Sequence, residues 1–254
     1  MVENVLIVDT ETTALEPELG QVIEVGAILY SVKYQTIIQQ VATLLPAQNN
    51  PAQSINRIDV APLLEIDEKT ANIGLQMIVE MAKKSEFAMV HGHPPSAIAH
   101  NAEFDKKWFG IPRTGEIELP VLVDGGGKPL RWLCTCDDFE FPNQIRQRMS
   151  LVDLALAHGI GVYANHRALT DCQLIAWLFD VMEDLQGMFV RAARVKGRYI
   201  ALVSFEDRGL AKEAGFRWFP KTKTWERVMA KEDVEGLGFG VKLIDEGFGN
   251  SVGV

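Results

Sequence analysis

The 254-residue sequence is poor in cysteine, has no long apolar run and lacks an excess of positive charge. Its three cysteines, Cys134, Cys136 and Cys172, are odd in number and show no CxxC spacing, which argues against a disulfide framework or a zinc knuckle. Reduced, structural thiols are expected. The first apolar run, Val5 to Val8, is too short for the core of a signal peptide or a membrane span, so a cytoplasmic chain with no membrane contact is expected. Internal repeats and low-complexity segments are also missing. With 47% apolar residues the chain has enough material for a core.

The net charge of −9 argues against a polyanion partner until it is divided along the chain. Residues 1–190 carry 13 Lys/Arg against 25 Asp/Glu, a net of −12, whereas residues 191–231 carry 11 against 4, a net of +7. Residues 232–254 return to −4, with 1 against 5. An acidic body joined to a basic module is the pattern of a site whose negative charge is met by cations, beside an appendix that holds phosphates.

Val5–Val8 reads as a buried strand that ends at the polar residue Asp9, and Gln21–Tyr30 and Thr36–Leu45 continue it as an antiparallel meander turning at Ser31–Gln35. Ile73, Met77, Ile78 and Met81 predict a helix over 73–84. Ala88–Val90 would begin a strand, interrupted by a loop at His91–Pro95 and resumed at Ile98–His100. Strands are predicted at Pro120–Asp124 and Trp132–Cys134, around a loop at Gly125–Gly127. Leu151–His158 predicts a helix terminated by Gly159, and Ala168–Leu185 predicts the last helix of the acidic body, with Leu169, Cys172, Ile175, Ala176, Phe179 and Met182 on its stripe.

Asp9 and Glu11 are one residue apart, so on a strand both side chains leave the same face, close enough to share a cation. His100-Asn101-Ala102-Glu103-Phe104-Asp105 reads as a strand end followed by the first turn of a helix. His166 and Asp171 are five apart, a turn of roughly 500° on an ideal helix, so His166 belongs on the approach to the helix whose inner face carries Asp171. His91 and His93 lack further ligands, His158 fits a helix C-terminus, and Cys134-Thr135-Cys136 fits a strand end.

In this order, the four carboxylates and His166 resemble the DEDDh branch of the DnaQ-like 3'-5' exonuclease superfamily, over roughly residues 4 to 182. The resemblance implies an α/β fold with an RNase H-like mixed sheet flanked by helices. It implies two Mg²⁺ or Mn²⁺ ions on oxygen ligands from Asp9, Glu11, Asp105 and Asp171, with Asp9 shared between them. His166, with an ordinary pKa of about 6.5, would be the general base, and the product a nucleoside 5'-monophosphate. Thr12, Thr13, Leu15, His100 and Asn101 would meet the 3'-terminal nucleotide, with Leu15 wedged under its base. Ala14 departs from the family's glycine, and a positive φ there would strain it. The implied substrate is single-stranded DNA or other 3' ends. RNA trimming, or a proofreading or maturation role inside a polymerase, repair or processing complex, is the alternative.

Beyond the body, Tyr199–Phe205, a helix over Arg208–Ala214 capped by Asp207 and stopped by Gly215, and a hairpin of Phe216–Phe219 with Thr224–Met229 predict a β-α-β-β module. It resembles a small domain appended to enzymes of nucleic-acid metabolism. Arg217, Lys221, Lys223 and Arg227, interleaved with aromatics, could grip nucleic acid, while Trp218 and Trp225 could equally form the module's core. The expected division is an exonuclease domain at 1–185, a linker at 186–197, the accessory domain at 198–246 and a flexible tail at 247–254, with the glycine-rich stretch from Gly236 fraying toward the end.

Overall fold

The computed structural model describes residues 2–85, 96–112, 116–146 and 148–248. The strand start at Ala88–Val90 and the loop at His91–Pro95 lie outside the described residues. Two compact units follow one another along the chain, 1–192 and 193–254.

The first unit opens with β1 (Asn4–Thr12), β2 (Val22–Ser31) and β3 (Thr36–Leu44), then the short helices α1 (Gln53–Asn56) and α2 (Val60–Glu65) and the longer α3 (Glu68–Lys83). β4 (Ser96–Ala99), α4 (Ala102–Lys106), β5 (Arg131–Cys134), α5 (Leu151–Ala157), α6 (Ala168–Asp180) and α7 (Leu185–Ala192) complete it. The strands form one sheet in the order β3-β2-β1-β4-β5. β1, β2 and β3 are antiparallel, while β4 and β5 run parallel to β1, giving the mixed sheet expected.

Val5–Val8 are fully buried because helices cover both faces of the central strand, which explains a continuous apolar run in place of alternation. One face packs on α3 through Ala71, Leu75, Ile78, Met81 and Ala82. Asp67 caps that helix by accepting from the Thr70 N–H at 2.9 Å, so it begins five residues before the predicted start. Its buried stripe is also rotated: Ile73 and Met77, expected inside, are exposed.

α6 packs on the other face and ends at Asp180, short of the predicted Leu185. Tyr30 donates its hydroxyl to Asp180 at 2.6 Å, and the Gln35 amide donates to the Phe179 and Met182 carbonyls at 2.9 and 2.8 Å, closing the helix end. A second helix, α7, follows after Asp184 accepts from the Gly187 N–H at 3.0 Å. It occupies most of the expected linker, and only residues 193–195 separate it from the next strand. Pro120–Asp124 is not a strand. It makes one bridge, Val123 to Pro129, and neither Pro120 in the segment nor Pro129 opposite it has an N–H to give to a ladder. Gly159 does stop α5, at φ +74°, with His158 accepting the cap position.

The second unit contains β6 (Lys196–Ala201), α8 (Arg208–Glu213), β7 (Arg217–Phe219), β8 (Thr224–Ala230) and β9 (Val241–Phe248), in an antiparallel sheet of order β7-β8-β6-β9. Its core is Tyr199, Ala201, Ala211, Phe216 and Met229, with Trp225 packed against them. The predicted module is present with three corrections. β6 starts earlier and ends at Ala201; Asp207 makes no side-chain cap to α8 and instead accepts from the Ser204 hydroxyl at 2.7 Å. Part of the stretch expected to fray forms β9, whose Val241 and Leu243 join the core against β6, which would otherwise be an open edge, while residues 249–254 of the expected tail lie outside the described residues. Among the described residues no helix is long and apolar enough to cross a membrane.

Candidate active site

The site is assembled on the face of the sheet that α6 covers. In the β1–β2 ladder Asp9 lies opposite Gly26 and Glu11 opposite Glu24, so all four positions share that face. Gly26 is needed for a close approach: a Cβ there would lie 2.4 Å from both the Ala168 carbonyl carbon and the Leu169 nitrogen. With no side chain in between, the first turn of α6 rests directly on the strands, and Asp171 in that turn reaches the carboxylates of β1.

Glu24 fixes the same turn. Its buried carboxylate accepts from the Ala168 N–H at 3.1 Å and from the Arg167 guanidinium at 2.9 and 2.7 Å, capping α6 at the positive end of its dipole. His166, one residue earlier, takes φ +63° and is exposed. Its backbone N–H bonds the Asp171 carboxylate. Glu11, His166 and Asp171 each offer a ligand atom within 4.8 Å of the others.

Asp105 arrives from the opposite direction. Asn101, at φ +68°, turns the chain sharply from β4 into α4, and Asp105 sits in that helix, 1% exposed. Thr10 anchors it, donating its N–H at 2.9 Å and its hydroxyl at 2.8 Å to the same oxygen of Asp105. Asp9 stands outside the 4.8 Å trio but close enough to feel Asp105, Asp171 and Glu11 together.

All four carboxylates resist ionisation. Burial, followed by repulsion from Asp105, Asp171, Glu11 and Glu24, raises Asp9 well above the ordinary range. Burial, then Asp171 and Glu24, push Glu11 up to about 8. Burial lifts Asp105 to about 7 against the Thr10 hydrogen bonds, and lifts Asp171 to about 6 against His166. The nearby cation, Arg167, is committed to Glu24. Clustered oxygen donors with unmet negative charge fit a hard divalent cation, and the trio of Glu11, Asp171 and His166 could hold one.

The residues expected on the substrate side divide. Leu15 is 74% exposed on the β1–β2 loop, free to meet an apolar surface. That loop is tied to α4 by a Lys107–Glu16 ion pair at 3.0 Å. Thr12 and Thr13 are buried and use their hydroxyls inside the loop, Thr12 donating to the Ala14 carbonyl at 2.6 Å and Thr13 accepting from the Gln21 N–H at 2.9 Å. Ala14 is not strained: it has no positive φ, and Gly20 opposite leaves space that a Cβ would fill to within 2.5 Å of the alanine's own.

The ring of His100 is engaged by protein groups on both nitrogens. Its ring bonds the Thr135 hydroxyl at 2.8 Å and the Met149 carbonyl at 3.1 Å, and burial pushes its pKa down to about 4. Asn101 is exposed and accepts from Arg148 at 2.6 Å, and Arg148 also pairs with Asp137. In the second unit Arg217, Lys221 and Lys223 are exposed, but Arg227 is spent on structure, donating to the Ala214 carbonyl at the end of α8 at 2.7 Å.

Sequence reasoning missed Thr10, Glu24, Gly26, Arg167 and Arg148. Gly26 and Glu24 come opposite the acidic pair through the β1–β2 register, which the loop over residues 13–21 sets; the predicted turn at Ser31–Gln35 joins β2 to β3 and says nothing of it. Nothing in the sequence marks Arg148, which reaches Asn101 across 47 residues.

A family model described as Exonuclease matches residues 6–179, which include every carboxylate of the site. DNA polymerase III subunit epsilon of Treponema pallidum (strain Nichols) is 27% identical over 179 residues, covering 68% of this chain and 74% of the relative. Two solved structures share the fold. A 3'-exonuclease in 3'-end specific recognition of histone mRNA stem-loop superposes at TM-score 0.55 with 17% identity, covering 77% of this chain and 86% of its own. The nuclease domain of 3'hExo, a DEDDh family member bound to rAMP, gives 0.51 with 18% identity, covering 73% and 93%. Residues 198–244 match a domain family of unknown function, DUF8626. The chain belongs to the DnaQ-like 3'-5' exonuclease superfamily and is, by that membership, a phosphodiester hydrolase acting from 3' ends.

Proposed function

We propose that this exonuclease removes nucleoside 5'-monophosphates one at a time from the 3' end of single-stranded DNA. The observation that carries the reading is the meeting of Glu11, Asp171 and His166 within 4.8 Å, beside Asp9 and Asp105, in the order and spacing of the DEDDh branch. Asp9, Glu11, Asp105 and Asp171 would hold two divalent ions, Mg²⁺ or Mn²⁺. When bound, these supply charge stabilisation for the attacking and leaving oxygens of an in-line displacement.

The remaining work falls to the chain's own groups. His166 stands exposed at the edge of the carboxylates, where a ring nitrogen can take the proton from the attacking water. Glu24 and Arg167 hold the turn that carries His166 and Asp171. Thr10 fixes one oxygen of Asp105, so that both of its hydrogen bonds leave the other oxygen untouched. Leu15 is placed on a braced loop to support the terminal base, and Asn101 offers a polar contact nearby.

The polymerase subunit relative favours DNA and a proofreading setting, with a polymerase or repair complex as the partner. The likeness to the 3'-exonuclease on a histone mRNA stem-loop favours RNA trimming as the second reading. A time course on 5'-labelled DNA and RNA of one sequence, in Mg²⁺, Mn²⁺ and EDTA with His166→Ala as control, separates them. Faster shortening of the DNA supports the proposal; faster shortening of the RNA replaces it with the second reading.

A further inference from the structure

Two half-exposed aromatic side chains of the second unit sit among its cations. β7 is the edge strand of its sheet, and its three residues, Arg217, Trp218 and Phe219, are all exposed. Trp218 is 47% exposed and Phe219 41%, although both are large and apolar. Because side chains alternate along a strand, the two rings emerge on opposite sides of the edge. Trp218 lies against Trp225 with ring centroids 5.8 Å apart and planes tilted by 56°, and nearly half of its surface stays in solvent.

Positive charge surrounds them. Lys221 and Lys223 stand exposed in the turn joining β7 to β8, and residues 214–225 contain no acidic residue. The first acid after them, Glu226, is withdrawn from the surface. It is 6% exposed, accepts from the Thr222 and Thr224 hydroxyls at 3.0 and 2.7 Å, and faces Arg198 at 3.7 Å. Among the described residues, Arg217, Lys221 and Lys223 have no carboxylate within ion-pair distance. Lysines kept for solubility would not require two half-open aromatic rings beside them, and rings kept for the core would not be half in water.

We propose that the β7 edge and its hairpin form a binding surface for single-stranded nucleic acid. Bases stack on Phe219 and on the exposed part of the Trp218 ring, and Arg217, Lys221 and Lys223 meet the phosphates. A duplex hides its base faces and a folded protein has none, so a single strand is the occupant that uses both the rings and the charge. Naming that strand as the enzyme's substrate rests on the exonuclease reading; the binding itself does not.

The test is fluorescence anisotropy of 5'-fluorescein dT20 and rU20 with the full chain in EDTA, from 50 to 300 mM salt. Trp218→Ala with Phe219→Ala should raise Kd about tenfold or more while leaving the salt slope in place. Trp218→Phe with Phe219→Tyr should restore binding, which separates stacking from loss of fold. Arg217→Gln, Lys221→Gln and Lys223→Gln together should flatten the slope of log K against log salt by about 2. Binding within twofold of the parent in the folded double alanine variant, or an unchanged salt slope in the folded triple glutamine variant, overturns the proposal, as does equal competition by an unlabelled duplex. Cleavage of a 5'-labelled trinucleotide in Mg²⁺ is measured alongside. A parent that never cleaves it sinks the exonuclease reading and leaves the anisotropy result in force, while normal cleavage with unaltered variant binding sinks this inference alone.

Discussion

Gly26→Ala tests whether the approach of α6 to the sheet creates the site. The added Cβ would stand 2.4 Å from the Ala168 carbonyl carbon and the Leu169 nitrogen, and 2.7 Å from the Ala168 oxygen. These are backbone atoms of a helix turn against backbone of a central strand, so neither side has a rotamer to change. Ordinary carbon contact requires the turn to move by roughly 1 Å, an overpacking that costs about 1–3 kcal/mol. The same motion carries His166 and Asp171 away from Asp9 and Glu11, and a displacement of about 1 Å at reacting groups lowers kcat by about 100-fold. Gly74→Ala is the control: its Cβ would meet the Thr43 Cβ at 2.4 Å, on the α3 side of the sheet. Both variants should lose stability in urea titrations, and only Gly26→Ala should lose kcat on a 5'-labelled oligonucleotide. Equal activity in the two variants would refute the argument that the glycine places the catalytic turn.

Metal and pH should act in opposition. The folded-state pKa values of about 8 for Glu11 and about 6 for Asp171 lie above their ordinary values, so bound protons favour the folded chain. That stability is complete below the ordinary carboxylate range and is lost as pH rises through 6 and then 8. In EDTA, Tm should fall between pH 5 and 9, and Mg²⁺ should restore it more at pH 8 than at pH 5; a Tm that rises with pH in EDTA contradicts the burial of these groups. Asp9→Asn should abolish turnover yet raise Tm in EDTA at pH 8, because it removes a carboxylate whose ionised form is disfavoured by burial and by repulsion from four acidic neighbours. Lower stability with the fold otherwise intact would count against that repulsion. Thr10→Val keeps the backbone N–H to Asp105 and loses the hydroxyl. The Mg²⁺ concentration for half-maximal activity should rise about 10- to 100-fold, with Thr10→Ser restoring it; an unchanged metal requirement would remove Thr10 from the site's support.

The parts of the fold that were legible were those in which the local pattern and the tertiary outcome agree. The β1–β2–β3 meander followed from its apolar runs, and the resemblance to the DEDDh branch singled out Asp9, Glu11, Asp105, His166 and Asp171, of which the fold brings Glu11, His166 and Asp171 within 4.8 Å of one another. Errors arose where a distant partner decides. α6 stops because Tyr30 and Gln35 close its end, and β9 is a strand because β6 needs a partner. His100 and Arg227 look available in sequence, yet one is consumed by Thr135 and Met149 and the other by the end of α8. Glu24 is an unremarkable acid in a strand until the register puts it across from Glu11 and under the first turn of α6.

Whether these carboxylates, with divalent metal, hydrolyse the last phosphodiester at a 3' end is read from the products of a 5'-labelled single-stranded oligonucleotide, comparing the parent with Asp171→Asn in Mg²⁺ and in EDTA. A ladder shortening by single nucleotides from the 3' end is expected, present only for the parent with metal. A ladder that persists in Asp171→Asn or in EDTA, or internal cleavage in place of a ladder, would contradict it.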